Sequence, residues 1–222
     1  MTAPRTQRLV VITAGLSQPS STRLLADRLA EATVRRLAED AVQADVTTVE
    51  LRDHAHDITS RLLHGFAGDA LEDVISGLGD ADGVIAVTPI FTTSYSGLFK
   101  TFLDILDPTA ITGLPVLIGA TGGSERHSLA LDYAIRPLFT YLHAIPVPTG
   151  VYAATSDWGG GADGTASADL PARIDRAASE LAREMLRPDR DRVNRAPDPF
   201  ELPAGFDPSG RGAEPLAHPA SW

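Results

Sequence analysis

The sequence predicts an α/β protein built on a doubly wound, five-stranded parallel sheet with helices on both faces. Two observations predict it. Short runs rich in Val and Ile recur along the chain, at residues 9–13 (LVVIT), 83–88 (GVIAVT) and 115–120 (PVLIGA), and segments of helical spacing separate them. Unbroken apolar runs of this kind suit strands covered on both faces, the condition that βαβ crossovers create. With 222 residues, 43% hydrophobic and 22% charged, the chain has the material for one such core and is cramped for two.

Taken in order, the run 9–13 is followed by a Gly/Ser/Pro loop and then by Leu24, Leu25, Leu29 and Ala32 at helical spacing, giving strand, loop and helix. Val46, Val49 and Leu51 suggest a second strand. The run 83–88 reads as a buried third strand, ahead of a loop and a helix over 97–106. Residues 115–120 supply the fourth strand and 128–143 the next helix, and 145–152 an edge strand, because its prolines cannot donate to a central ladder. Ile174, Ala177, Ala178, Leu181 and Met185 mark a last helix that Pro188 ends. Residues 1–187 therefore form the expected domain. Residues 188–222, rich in Pro, Gly, Arg and Asp, read as an extended or disordered tail.

The formal charge is 19 minus 29, or −10, which argues against non-specific nucleic-acid binding. Any anionic ligand must then be held locally. Lys100 is the single lysine among the 19 basic residues, a compositional bias with no recognition patch. Absence of cysteine removes disulfides, thiol nucleophiles, thiolate zinc sites and iron–sulfur clusters. The first apolar run breaks at Gly15, too short for a signal core or a membrane span, so no membrane partner and a cytoplasmic location are expected.

In doubly wound sheets ligands gather beyond the carboxyl ends of the strands. Three loops lie there. The first holds Ser17, Ser20, Ser21 and Thr22 at a helix start, where unpartnered N–H groups and the positive dipole end favour a phosphate monoester. A single hydroxyl would suffice as a cap, and four exceed that need. The loop is neither a Walker A sequence nor a G-x-G-x-x-G fingerprint. Pro89, Ile90, Phe91, Thr92, Ser94 and Tyr95 in the second loop could border a planar heteroaromatic ligand, or could simply finish the core. Thr121, Gly122, Gly123 and Ser124 in the third let backbone N–H groups approach a ligand, although a Gly pair alone usually marks a turn.

Together these loops resemble those of the NADPH-dependent FMN reductases of the flavodoxin-like fold, especially the reductase partners of two-component alkanesulfonate and luciferase-like monooxygenases. Residues 88–104 (TPIFTTSYSGLFKTFLD) and 117–137 (LIGATGGSERHSLALDYAIRP) carry the likeness, within residues 8–187. The resemblance implies FMN as cofactor and NADPH or NADH as co-substrate. It places the FMN phosphate at Ser17, Ser20, Ser21 and Thr22, the isoalloxazine beside Pro89, Ile90, Phe91, Thr92, Ser94 and Tyr95, and its polar edge at Thr121, Gly122, Gly123 and Ser124. Many relatives carry a basic residue in the phosphate loop, whereas this loop has none before Arg23.

Because FMN accepts the hydride, no side chain is expected to act as nucleophile or acid–base catalyst. Pro137 cannot donate within the 128–143 helix, so that turn must kink or bulge. The resembled reductases carry a π-helical insertion there with an interface Tyr, a role that falls on Tyr133 and implies a homodimer or homotetramer. His54, His56, Asp57 and His64 sit in a polar connection without an i,i+4 ligand pair, so no metal site is expected. The glycine run from Gly159 reads as a flap, and Arg126 and His127 either meet a nicotinamide phosphate or begin a solvated helix. The leading expectation is an NAD(P)H-dependent FMN reductase serving a flavin-dependent monooxygenase. A quinone or azo reductase and a non-enzymatic FMN-binding electron carrier are the alternatives.

Overall fold

The computed structural model describes residues 6–159 and 169–187. Strand β1 (Thr6–Thr13) leads into α1 (Ser21–Glu39), and β2 (Gln43–Glu50) returns beside it. Helices α2 (Ala55–His64) and α3 (Asp69–Gly79) precede β3 (Gly83–Phe91), short strand β4 (Ser94–Tyr95) and α4 (Gly97–Asp104). Then come β5 (Pro115–Gly122), α5 (Arg136–Tyr141), β6 (Ile145–Pro146), β7 (Val151–Ala154) and α6 (Asp169–Met185). The tail expected over 188–222 and all but the first residue of the Gly159 run lie outside the described residues.

The spatial order is β2-β1-β3-β5, with β6 and β7 both on the far edge of β5, and every one of these pairings is parallel. Period-two alternation sorts the strand residues between two layers. Leu9, Val11, Ile85, Val87 and Leu117 pack under α1 and α6. Val10, Ile12, Val84, Ala86, Val116 and Ile118 face the other layer, where Phe99, Phe102 and Phe139 are fully buried. Burying a side chain of that size stabilises the fold by about 1.5–3 kcal/mol.

Among the described residues seven strands, not five, make up the sheet. The expected edge strand is split into β6 and β7 because Pro146 and Pro148 lack N–H donors and the chain lifts off between them. Side chains take over there. Arg136 donates to the carbonyls of Val147 and Pro148 at 2.8 and 2.9 Å, and the Glu180 carboxylate accepts from Thr149 N–H and hydroxyl at 2.7 and 2.8 Å. The seventh strand, β4, folds back antiparallel on the end of β3, pairing Ile90 with Tyr95 and Phe91 with Ser94.

The polar connection expected around the histidines is largely helical. Leu71, Val74, Ile75 and Leu78 in α3 recur at i, i+3, i+4 and i+7 and face the core, a pattern legible in the sequence. The helix expected over 128–143 is composite. A 3₁₀ turn (Glu125–His127) and a π-helical turn (Leu131–Ile135) precede α5. In the π turn Arg136 N–H donates to the Leu131 carbonyl five residues back. Pro137 follows in the first turn of α5, where no intrahelical donor is required.

Candidate functional site

Parallel pairing brings the ends of β1, β3 and β5 to one edge. Ala14 N–H donates to the Val87 carbonyl at 2.9 Å, and Pro89 lies in register with Thr121. All three loops read from the sequence therefore meet. The tightest link joins the first to the third, for the hydroxyls of Thr22 and Thr121 lie 2.8 Å apart, both buried.

The four hydroxyls of the first loop divide their work. Ser20 caps α1, its Oγ accepting from Arg23 N–H at 3.2 Å. Gly15 packs so closely against this cap that a Cβ there would lie 2.1 Å from Ser20 Oγ. Thr22 points inward to Thr121, while Ser17 and Ser21 are exposed. The first intrahelical bond runs from Leu24 N–H to the Ser20 carbonyl, so the N–H groups of Ser21 and Thr22 precede any intrahelical acceptor and sit at the positive dipole end. A phosphate monoester fits this loop through exposed hydroxyls, first-turn N–H groups and one hydroxyl that both caps and can donate.

A basic residue reaches this loop from outside its own sequence. Arg52, just past β2, donates from Nη1 to the Ser17 carbonyl at 3.1 Å and pairs with Glu50, which also accepts from Arg23 Nη1 at 2.7 Å. Its hydrogen bond with Asp27, reinforced by Glu50, pushes the Arg23 pKa above its ordinary value. The sequence reading missed Arg52 because no local motif marks it. Parallel pairing of Thr13 with Glu50 delivers it to the loop, so the signal was the strand register.

The second loop is a tight hairpin. Thr92 and Thr93 form its turn with φ of 47° and 71°, the left-handed region that β-branched residues avoid. Ser96 N–H donates to Thr88 Oγ1 at 3.1 Å, and Ser96 Oγ caps α4 by accepting from Phe99 N–H at 3.2 Å. Pro89 is buried, whereas Ile90, Ser94 and Tyr95 are half-buried and the Phe91 ring is 47% exposed. Tyr95 does turn toward the core, its ring 6.3 Å from Phe99. Phe91 and the hairpin backbone are thus the parts free to border a ligand.

In the third loop Tyr152 supplies the brace. Its hydroxyl donates to the Ser124 carbonyl at 2.7 Å and lies where a Cβ on Gly122 would fall, 2.2 Å away. Ile90 of the hairpin has its Cβ 3.7 Å from the same point. Burial, with the Asp157 carboxylate as a second cause, pushes the Tyr152 phenol above its ordinary pKa, so it stays a donor. Gly123 is exposed with open space where a side chain would be, and Ser124 Oγ accepts from Arg126 N–H at 3.3 Å. Tyr133 stands in the π turn and is 80% exposed, with Leu129 exposed one turn earlier. Among the described residues no group of three or more His, Asp or Glu is placed to hold a metal, and no helix is long and apolar enough to cross a membrane.

A family model described as NADPH-dependent FMN reductase matches residues 7–159. The FMN reductase (NADPH) of Pseudomonas aeruginosa is 35% identical over 158 residues, covering 71% of this chain and 81% of that protein. The NADH-dependent FMN reductase SfnE of Pseudomonas putida is 37% identical over 175 residues, covering 78% and 89%. Among solved structures, an oxidoreductase from Corynebacterium diphtheriae superposes with a TM-score of 0.76 at 47% identity, covering 83% of this chain and 98% of that one.

Proposed function

The chain belongs to the NADPH-dependent FMN reductase family, and from that premise we propose that its three converging loops hold FMN and supply reduced flavin to a separate flavin-dependent monooxygenase. As an oxidoreductase it passes electrons from NADPH or NADH to FMN. The observation that carries the site assignment is the Thr22–Thr121 bond, which locks the phosphate-suited first loop to the Gly-rich third loop beside the end of β3.

When bound, FMN supplies the ring that accepts hydride. The protein's task is then positioning. Ser17, Ser21 and the first-turn N–H groups of α1 bind the phosphate, with Ser20 donating while it caps. Phe91 and the backbone of residues 89–95 border the ring. N–H groups around Gly122 and Gly123, in the loop that Tyr152 braces through the Ser124 carbonyl, would stabilise negative charge at the ring's polar edge. Exposure of Phe91 and the hairpin leaves the site open to solvent, which suits a flavin that is handed on. Tyr133 and Leu129 offer an apolar surface beside this site, because the π turn packs against β4, and a second copy of the chain is the partner we assign to it.

Anaerobic mixing of the protein with FMN and each nicotinamide tests the reading. The flavin absorbance should bleach in step with nicotinamide oxidation, and the faster donor is the one the enzyme prefers. Oxidation with quinones but not with FMN would overturn the assignment to free flavin. Tight FMN retention with no turnover would mark an electron carrier.

A further inference from the structure

Arg23 stands in the first turn of α1, Arg52 reaches the phosphate-suited loop, and one carboxylate holds both guanidinium groups. Glu50 Oε1 accepts from Arg23 Nη1 at 2.7 Å, while Glu50 Oε2 pairs with Arg52 Nη2. Arg52 in turn lies against the loop through its 3.1 Å bond to the Ser17 carbonyl. Two further carboxylates attend the pair, Asp27 on Arg23 Nε at 2.7 Å and Asp53 at 3.6 Å from Arg52 Nε. Two positive charges thus face three negative ones before any ligand arrives. Asp27 and Asp53 are well exposed and screened by water, whereas Glu50 and Arg52 are each only 18% exposed.

We propose that Glu50 sets the affinity of the loop by competing with the flavin phosphate for Arg23 and Arg52. This rests on the reading that the first loop holds the phosphate of FMN. Glu50 is the last residue of β2 and pairs with Thr13 at the end of β1, so its carboxylate stands at the same sheet edge as residues 15–22. A phosphate there gains hydroxyls and the helix dipole, but it meets cations already neutralised and a like charge in a partly shielded place. The grip is consequently loosened at the phosphate alone, leaving ring contacts untouched. For an enzyme that must let reduced FMN go, such a carboxylate favours release.

The experiment compares FMN with riboflavin, which lacks the phosphate, by quenching of flavin fluorescence in the wild type, Glu50→Gln and Glu50→Asp. Glu50→Gln should bind FMN about three- to tenfold tighter, as expected from freeing a partly shielded ion pair. Its riboflavin affinity should match the wild type. Glu50→Asp, which withdraws the carboxylate by one methylene, should shift FMN the same way by less, and it decides the matter if Glu50→Gln does not fold. Unchanged or weakened FMN binding in a variant with wild-type melting temperature would overturn the proposal, as would equal changes for the two flavins. Should the wild type bind neither flavin, the reading of the loop itself fails, a result distinct from either.

Discussion

Thr22 and Thr121 lie 99 residues apart in sequence, and their buried hydroxyls are 2.8 Å apart. The pair ties the start of α1 to the end of β5, adding a buried polar contact to the strand register that already aligns the two loops. Replacing either residue alone by Val leaves the other hydroxyl buried without its partner and should destabilise the protein by about 1–3 kcal/mol. The double Val variant should cost less than the sum of the two, since both polar groups leave together. Urea unfolding of the three variants measures this coupling, and strict additivity would show that the bond is not the link described.

Strain is stored in the hairpin between β3 and β4. Thr92 and Thr93 occupy a turn whose positive φ angles favour Asn followed by Gly. The double substitution Thr92→Asn, Thr93→Gly should therefore stabilise the protein by about 1 kcal/mol, the lower end of the left-handed penalty for two residues, about 2 kcal/mol, being offset by up to about 1 kcal/mol for the added freedom of Gly in the unfolded chain. Thermal unfolding monitors the gain. A fall in melting temperature would mean that the Thr side chains contribute more than their backbone costs.

Tyr152 couples the third loop to alkaline pH. Its phenol is raised above the ordinary value of 10.0 by burial first and by Asp157 second. A group whose folded pKa is raised contributes stability that is complete below its unfolded pKa and is lost as pH climbs from there through the folded value. Stability should accordingly fall between about pH 10 and the higher folded pKa. In Tyr152→Phe that part of the decline should be absent, although the variant starts lower because the Ser124 carbonyl loses its donor. Chemical denaturation at pH 9 and pH 11 gives the comparison.

Tyr133 supplies the clearest surface test. Placing a carboxylate there by Tyr133→Asp should not disturb the core, because the side chain is 80% exposed in the single chain. Against a second copy it would bury a charge, so light scattering should show the assembly shifting to a smaller species. An unchanged mass would move the interface elsewhere on the molecule.

Much of the fold was legible because its signals are local. The LVVIT run, the hydroxyl-rich loop and the helical spacing after it encode β1, the phosphate-suited loop and α1 within about thirty residues. Pro137 likewise announced a disturbed helix, and a π turn stands just before it. Helix α3 was encoded just as locally and went unread. The hairpin hid for another reason, since Thr-Thr carries no turn signal and only the returning strand holds it in place.

Local residue order by itself determined the strand-loop-helix units and the chemical character of the three loops, because apolar period, helix caps and glycine act over a few neighbouring residues. Tertiary structure alone decided which hydroxyls turn outward, that Ser20 caps and Thr22 reaches Thr121, and that Glu50 and Arg52 arrive beside Ser17. The reason is register: parallel pairing aligns strand ends that are distant along the chain, and no short-range pattern records which side chains that alignment brings together.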